Sequence, residues 1–132
     1  ISIQKKHLCN FLKMIKKLNL SKFKKKICFD LDGVICKTTK NYYSSAIPLK
    51  SNIKKINELY DNGNYIFVYT SRFMGRSNDN QVLAKKKGYN LTLNQLNKWG
   101  LKFHKLLLGK PSYDIIIDDK GINYSTSWKK KL

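Results

Sequence analysis

The stretch "FDLDGVIC", residues 29–36, sets two aspartates one residue apart, followed by a glycine, directly behind an apolar run. The run from Lys26 to Asp30 is typical of a buried β-strand, and Gly33 permits a tight exit from that strand. Only 8 residues of the chain are acidic, against 27 basic ones. Two of these scarce acids therefore stand together at the end of a predicted strand, which indicates a functional site.

A second acid pair follows another apolar run, in "DIIIDD", residues 114–119. The run Asp114 to Asp118 is short and β-branched, so it predicts a strand that ends at Asp118 and Asp119. In a parallel sheet both acid pairs would emerge at the carboxyl ends of strands, where open α/β sheets bind ligands. Either pair alone is also compatible with a turn or helix-capping role. Together they would repel one another unless protonated or bridged by a cation, and all-oxygen ligation favours Mg²⁺.

Strand-like and helix-like patterns alternate along the rest of the chain. Apolar spacing, caps and glycines set the expected boundaries. This alternation predicts an α/β fold: a Rossmann-like, mostly parallel sheet with helices on both faces. The expected elements after the first strand are a helix capped by Ser51 and ended by Gly63, a strand at Tyr65–Thr70, a helix at Ser77–Lys87 stopped by Gly88, a helix with a Thr92/Gln95 capping box ended by Gly100, and strands at Phe103–Leu108 and Asp114–Asp118.

The composition bounds the class of protein. A chain of 132 residues suggests one domain, and its net charge of +19 attracts anions. All but two of the cations are lysines, and a solvated surface or an anionic partner would each explain them. Aromatic and basic residues are not interleaved, so nucleic acid is not favoured as a partner. No apolar run approaches the ~20 residues of a transmembrane span, and three cysteines without paired spacing fit the reducing cytoplasm.

Residues 1–25 predict a basic amphipathic helix, with Leu8, Phe11, Leu12, Ile15 and Leu18 at helical spacing among lysines. Packing against the domain is the expected arrangement, and a role at a membrane surface is the alternative. Residues 26–124 form the domain with the acid pairs, and residues 125–132 form a basic tail.

Four short segments resemble, in the right order, the four motifs of the haloacid dehalogenase superfamily. The resemblance covers about Lys26 to Asn123. The intervals between the motifs are filled by predicted strands and helices, so the chain resembles a capless member in which residues 36–48 form a small flap over the site. The matching segments are "DLDGV" at 30–34, Thr70 in "VYTSR", Lys110 in "GKPSYD", and "IIIDD" ending at Asp118 and Asp119.

The resemblance implies a Mg²⁺-dependent phosphatase. Asp30 would be the nucleophile that forms an aspartyl-phosphate, and Asp32 the general acid and base. Thr70 would hydrogen-bond the phosphoryl oxygens, and Lys110 would neutralise them. The implied Mg²⁺ ligands are Asp30, the backbone carbonyl of Asp32, and Asp118, with Asp119 helping directly or through water.

The substrate is expected to be a small phosphorylated metabolite. The segment "YTSRFMGRSNDN", followed by "KWGLKFHKLLLGKPSYDIIIDDK", is similar to small phosphatase-like proteins of bacterial capsule and surface-polysaccharide biosynthesis, which implies a sugar or polyol phosphate. Gly33, Ser71, Arg72 and Arg76 are the candidate substrate-binding residues, although the two arginines could instead tie down the loop after Thr70. A non-catalytic basic binding module for nucleic acid or a partner protein is the alternative function, and the sequence leaves homo-oligomer formation open.

Overall fold

The structure, a computed structural model, describes residues 2–132, with side chains for residues 2–16 and 22–132. Ile1 and the side chain of Leu18, which belong to the predicted N-terminal helix, lie outside this part. Three short 3₁₀ turns lie at Tyr43–Ser45, Gly75–Ser77 and Trp128–Lys131. The helices and strands, in chain order, are α1 (Ser2–Ser21), β1 (Lys26–Phe29), β2 (Cys36–Lys37), β3 (Ile47–Pro48), α2 (Lys50–Asp61), β4 (Tyr65–Thr70), α3 (Gln81–Lys98) and β5 (Lys105–Leu108).

A three-stranded parallel sheet in the order β1-β4-β5 forms the centre of the domain. Phe29 is paired with Val68, and Thr70 with Leu108. Parallel neighbours need a crossover connection, and the helices α2 and α3 supply the two crossovers. The α/β, Rossmann-like fold with a parallel sheet is therefore confirmed.

The flap, residues 36–48, is a small antiparallel hairpin. Its strands β2 and β3 pair Cys36 with Pro48 and Lys37 with Ile47. The backbone N–H of Leu49 donates to the carbonyl of Ile35 at 2.9 Å, which joins the base of the hairpin to the exit from β1. The hairpin thus stands beside the carboxyl end of β1.

The central strand β4 matches its predicted bounds and organises the core. Its residues alternate strictly, with Ile66, Val68 and Thr70 buried on one face. Ile66 and Val68 are fully buried, and burying each such side chain contributes about 1.5–3 kcal/mol. From α2, Ile56 packs into the same cluster.

Helix α2 forms where predicted, but its start differs. It begins at Lys50 after Leu49, with no side-chain cap, so the prediction of a Ser51 cap was wrong. Its end is as predicted, because Gly63 adopts a φ of 90°, a conformation that favours glycine.

Helix α3 is one continuous helix, and the prediction of two helices broken at Gly88 was wrong. The side chain of Asn80 caps it by accepting from the N–H of Leu83 at 3.1 Å. Gly88 lies inside the helix, where a Cβ would come within 2.3 Å of the Phe73 ring. This glycine provides close packing rather than a helix end, and Thr92, read as a cap, is buried within the helix.

The predicted strand at Asp114–Asp118 is not formed in the structure. The segment has no strand pairing, and all its residues are exposed. Ile115 and Ile117 are 81% and 97% exposed. A β-branched run favours a strand only where a partner and a buried face are available, and β5 is the last strand within residues 2–132.

Strand β1 is less buried than its apolar sequence predicts. Cys28 is exposed and Ile27 is half-buried, while Phe29 is buried. In the sheet order, β1 is an edge strand with β4 as its neighbour.

The two termini of the described chain differ from expectation. Trp128 lies in the predicted basic tail, yet it is buried and meets the Phe29 ring edge-on, with 5.9 Å between centroids. At the other end, Leu8 and Phe11 of α1 are more than half exposed, so the expected packing of this helix against the domain is not seen. Within residues 2–132, no helix has both the length and the apolar character needed to cross a bilayer.

Replacing Gly88 with alanine should destabilise the fold by up to about 2 kcal/mol. The new methyl overlaps the Phe73 ring, and such overpacking costs about 1–3 kcal/mol, partly offset by the roughly 1 kcal/mol that alanine gains over glycine inside a helix. Urea unfolding measures the difference. Gly75→Ala is the control, since a Cβ there meets nothing within 4 Å.

The effect of Gly88→Ala on stability should change sign when the Phe73 ring is removed. In a Phe73→Ala background, Gly88→Ala should stabilise by up to about 1 kcal/mol, because the helix propensity remains, the overlap with the ring is gone and the nearest remaining atom is Leu108 Cδ2 at 3.2 Å. A stabilising Gly88→Ala in the wild-type background would contradict close packing at this position.

Candidate active site

Three predicted site residues meet at the carboxyl edge of the sheet. Asp30 follows β1 directly, Thr70 is the last residue of β4, and Lys110 follows β5 by two residues. Lys110 Nζ lies 3.5 Å from Asp30 Oδ1, and the backbone N–H of Lys110 donates to the carbonyl of Thr70 at 3.2 Å. The structure therefore brings together Asp30, Thr70 and Lys110, as their positions at parallel strand ends predict.

Asp30 is the accessible carboxylate of the first acid pair. Its side chain is 44% exposed, and its Oδ1 accepts from the N–H of Leu31 at 2.9 Å. Burial tends to lower the pKa of Lys110, but its hydrogen bonds with Tyr113 and Asp30 and the charge of Asp30 raise that pKa above its ordinary value. Lys110 is thus a cation at neutral pH, held beside an open carboxylate.

Asp32 is bound in a bidentate ion pair with Arg72. Arg72 donates from Nη2 to Oδ1 at 2.9 Å and from Nε to Oδ2 at 3.0 Å. The Thr38 hydroxyl also donates to Oδ1. Burial would raise the pKa of Asp32, but the hydrogen bonds from Arg72 and Thr38 outweigh it and lower that pKa below its ordinary value. Asp32 is therefore held ionised.

Arg72 is itself fully enclosed, and its other contacts reach two separate elements. Its Nη1 donates to Gln95 Oε1 of α3 at 2.6 Å, and its guanidinium lies 4.9 Å from the centre of the Tyr43 ring in the flap. Gln95 Nε2 in turn donates to the carbonyl of Tyr43 at 2.6 Å. The arginine thus ties Asp32, α3 and the flap together, through side chains rather than through the backbone carbonyls of the loop-tying alternative.

Arg76 also has an anchoring role. Its Nη2 donates to the backbone carbonyl of Asn41 in the flap, as the loop-tying alternative predicted. Its guanidinium lies over the rings of Tyr43 and Phe73, at 5.2 and 5.3 Å from their centres.

Cys36 completes the surroundings of Asp32. Its thiol donates to Asp32 Oδ1, with 3.4 Å between sulfur and oxygen. Burial is the main reason that the pKa of Cys36 is raised, to about 11. The thiol is therefore protonated at neutral pH and acts as a hydrogen-bond donor, not as a nucleophile.

Thr70 and Gly33 have structural features that the sequence predicted only in part. Thr70 is buried, and its hydroxyl accepts from the N–H of Arg72 at 3.1 Å. Gly33 has a φ of 93°, while a Cβ there would meet nothing within 4 Å. Glycine is therefore required by the backbone turn and not by a lack of space.

A cavity of about 570 Å³ opens between the strand ends and the flap. A second cavity of about 410 Å³ shares Asn41, Tyr43 and Ser71 with it and reaches Arg76 and Ser112. Hydroxyls, an amide and cations around these cavities suit a small anion. The larger cavity is lined by, among others, Asp32, Gly33, Lys37, Thr38, Lys40 and Ser71.

The four aspartates predicted to bind Mg²⁺ are not assembled. Asp118 and Asp119 are exposed, in the segment that forms no strand, and Asp118 Oδ1 accepts from the backbone N–H of Lys120 at 2.8 Å. Within residues 2–132, no group of three or more acidic, histidine or cysteine side chains is placed to hold a metal ion. These residues as arranged do not fit a complete Mg²⁺ site.

The charges of Asp30 and Asp118 both act on one residue of β1, Cys28. Partial burial of the sulfur raises the pKa of the Cys28 thiol, although the residue as a whole is exposed; Lys110 opposes that rise, and the negative charges of Asp30 and Asp118 add to it. Both carboxylates are thus near one thiol.

Two residues of the site were missed by sequence reasoning. Gln95 was assigned to a capping box, and Thr38 had no role. Gln95 has no local sequence signal, because its partner Arg72 lies 23 residues away. Thr38 is only six residues from Asp32, and the two meet because the chain turns back after β1.

Comparisons with known proteins support the fold. No family model and no curated protein matches the chain. A crystal structure of a structural-genomics target from Vibrio cholerae is similar, with a TM-score of 0.70 and 22% identity, over 81% of this chain and 94% of that chain. This likeness shows a shared α/β fold and says nothing about the chemistry of the site.

Replacing Asp32 with asparagine should destabilise the protein by about 3–5 kcal/mol, because it leaves the buried Arg72 charge without its counter-ion. Asp30→Asn is the matched control. It should change stability by less than about 1 kcal/mol, since the ion pair between Asp30 and Lys110 is partly exposed. Urea unfolding at neutral pH compares the two. Equal losses would contradict the central role of the Asp32–Arg72 pair.

The pair should also give a pH dependence. Because the pKa of folded Asp32 lies below its ordinary value of 3.8, the stability it provides is present above pH 3.8 and is lost as pH falls through the lower, folded value. Unfolding measured in steps below pH 5 should show this loss in the wild type. In a variant that combines Asp32→Asn with Arg72→Met, the share of this acid-induced loss of stability that Asp32 causes should be absent.

Proposed function

We propose that the chain is a phosphatase that hydrolyses small phosphomonoesters through an aspartyl-phosphate on Asp30. The observation that carries this proposal is the exposed Asp30 carboxylate at the end of β1, with Lys110 Nζ 3.5 Å from its Oδ1. The resemblance to the haloacid dehalogenase superfamily supports the same chemistry from the motifs.

Asp30 offers one oxygen for attack. The contacts from Leu31 N–H and from Lys110 both reach Oδ1, so Oδ2 is the oxygen proposed to attack phosphorus. The bond from phosphorus to the ester oxygen then breaks, and the leaving alkoxide takes a proton from solvent water and departs as the alcohol. A water molecule next attacks the phosphorus of the aspartyl-phosphate and gives a proton back to the solvent; the bond from phosphorus to Oδ2 breaks, which releases inorganic phosphate and restores the carboxylate.

Lys110 supplies the charge that this reaction needs. Positioned cations are effective where negative charge gathers on the transferred phosphoryl group. Because its pKa is raised, Lys110 stays protonated throughout the neutral range. Its backbone is fixed to the end of β4 by the bond to the Thr70 carbonyl.

Asp32, the general acid that the resemblance implies, is ionised in the free protein. A general acid must carry a proton before it donates one, whereas Arg72 and Thr38 hold Asp32 as the anion. Asp32 could supply the proton only if bound substrate weakens its pairing with Arg72. In the free protein, Asp32 pairs with Arg72 and so helps to hold the flap beside the cavity.

The two adjoining cavities offer a place for the organic part of a small phosphate, beside Asp30 and Lys110, which line neither of them. Their lining combines Lys37, Lys40 and Arg76 with Ser71 and Asn41. These groups can hydrogen-bond hydroxyls and attract phosphate. A sugar or polyol phosphate of surface-polysaccharide biosynthesis is the substrate class that the resemblance suggests.

The three cysteines are unpaired, and a cytoplasmic location stays a prediction.

Asp30→Asn should lower turnover by about 10³-fold or more while the fold persists, because the amide cannot form the acyl-phosphate. Release of inorganic phosphate from a panel of small phosphomonoesters measures it. Asp61→Asn is the control, since Asp61 is exposed and pairs at 2.8 Å with Lys102, outside the proposed site. An Asp30→Asn variant with near-wild-type turnover would refute the nucleophile.

Mg²⁺ dependence stays a prediction, because the described residues do not gather a complete site. One or two carboxylates plus substrate phosphate are often enough for Mg²⁺, and Asp118 is the carboxylate to test with Asp30. Chelation should abolish turnover and added Mg²⁺ should restore it. Asp118→Asn should raise the required Mg²⁺ concentration by about 10-fold or more, while the exposed Asp114→Asn should not. Full turnover after chelation would refute the Mg²⁺ requirement, but it would not contradict Asp30 as the nucleophile.

A further inference from the structure

Helix α1 presents an apolar surface that the rest of the described chain does not cover. Ile3 is 68% exposed, Leu8 59%, Phe11 54%, Leu12 54% and Met14 51%. Single exposed apolar residues are ordinary, whereas a contiguous set on one helix marks an interaction surface.

The charges of α1 are separated from that surface. At 3.6 residues per turn, the apolar residues fall on one half of the helix circumference, and the lysines of residues 2–16 fall on the other half. Residues 2–21 contain no aspartate or glutamate. The apolar half holds Ile3, Leu8, Phe11, Leu12, Met14 and Ile15, and the basic half holds Lys5, Lys6, Lys13 and Lys16.

The connection to the domain is basic as well. Lys22, Lys24 and Lys25 are exposed, and the N–H of Lys24 donates to the carbonyl of Gly63 at 2.9 Å. Phe23 meets the His104 ring edge-on, with 4.8 Å between centroids. The chain is therefore anchored in the domain from residue 23 onward, and α1 extends from that anchor.

We propose that α1 lies flat on the surface of a membrane that contains anionic lipids and holds the domain there. Its apolar half would enter the boundary of the acyl chains, and its lysines would meet lipid phosphates. An in-plane helix agrees with the finding that no helix of residues 2–132 is long and apolar enough to cross a bilayer.

Charge decides between this occupant and a second copy of the chain. Each chain carries a net charge of +19, so two copies repel one another. An anionic lipid surface satisfies the apolar and the basic halves of α1 together.

The proposed active site remains accessible in this arrangement. Because α1 precedes β1, it joins the domain at the amino edge of the parallel sheet, whereas Asp30, Thr70 and Lys110 lie at the carboxyl edge. The proposal does not depend on the reaction assigned to that site.

Co-sedimentation of the full chain with lipid vesicles tests the proposal. The chain should bind vesicles of phosphatidylcholine mixed with phosphatidylglycerol, and it should not bind phosphatidylcholine alone. Binding should weaken as salt screens the lysines. No binding to either vesicle, or equal binding to both, would overturn the proposal.

Paired substitutions separate α1 from the general charge. Replacing Lys6 and Lys13 with glutamine should weaken vesicle binding about 30-fold, at roughly fivefold for each lysine near the surface. Replacing Lys85 and Lys86, which are exposed on α3, removes the same charge and should have little effect. Equal weakening by both pairs would show a non-specific response to net charge and overturn the assignment to α1.

A second pair of substitutions tests whether the apolar half of α1 is needed for vesicle binding. Phe11→Gln should abolish binding to the mixed vesicles, while Val82→Gln, at a 76% exposed position on α3, should not. Analytical ultracentrifugation without lipid tests the rival occupant. A dimer that Phe11→Gln dissociates, together with no vesicle binding, would assign this surface to a second copy instead.

Discussion

The bidentate pair between Arg72 and Asp32 is the interaction on which the arrangement of the site depends. A charge as buried as Arg72 is stable only when its donors are satisfied, and here they reach a carboxylate, the side chain of Gln95 and the ring of Tyr43. These partners belong to the exit from β1, to α3 and to the flap. One guanidinium therefore fixes three separate elements around the cavity.

This pairing gives the two neighbouring aspartates different properties. Asp32 is ionised, hydrogen-bonded and largely enclosed, so it contributes to the structure. Asp30 is more exposed and faces Lys110, so it is the carboxylate of the pair that is open to solvent. Two identical side chains, one residue apart, acquire separate roles because one side chain meets a buried arginine and the other meets solvent.

Much of the fold follows from local patterns. The alternation of β4, the glycine stop after α2, and the approach of Asp30, Thr70 and Lys110 were predictable, because parallel strands end at a common edge. The misassigned elements had local signals that distant contacts overrode. Gly88 looked like a helix stop, but it accommodates the ring of Phe73. The isoleucine run after residue 114 looked like a strand, but strand propensity needs a partner to be realised.

The sequence by itself determined the α/β class, the nucleophile candidate and the segregated charge of α1, because each depends on residues close together in the chain. Only the tertiary structure decided that Arg72 neutralises Asp32, that Gln95 supports Arg72, and that Trp128 is buried against Phe29. Their partners are separated by 23 residues or more. Contacts of that kind leave no periodic pattern in a sequence, so their partners become known only when the sheet and helices have brought them together.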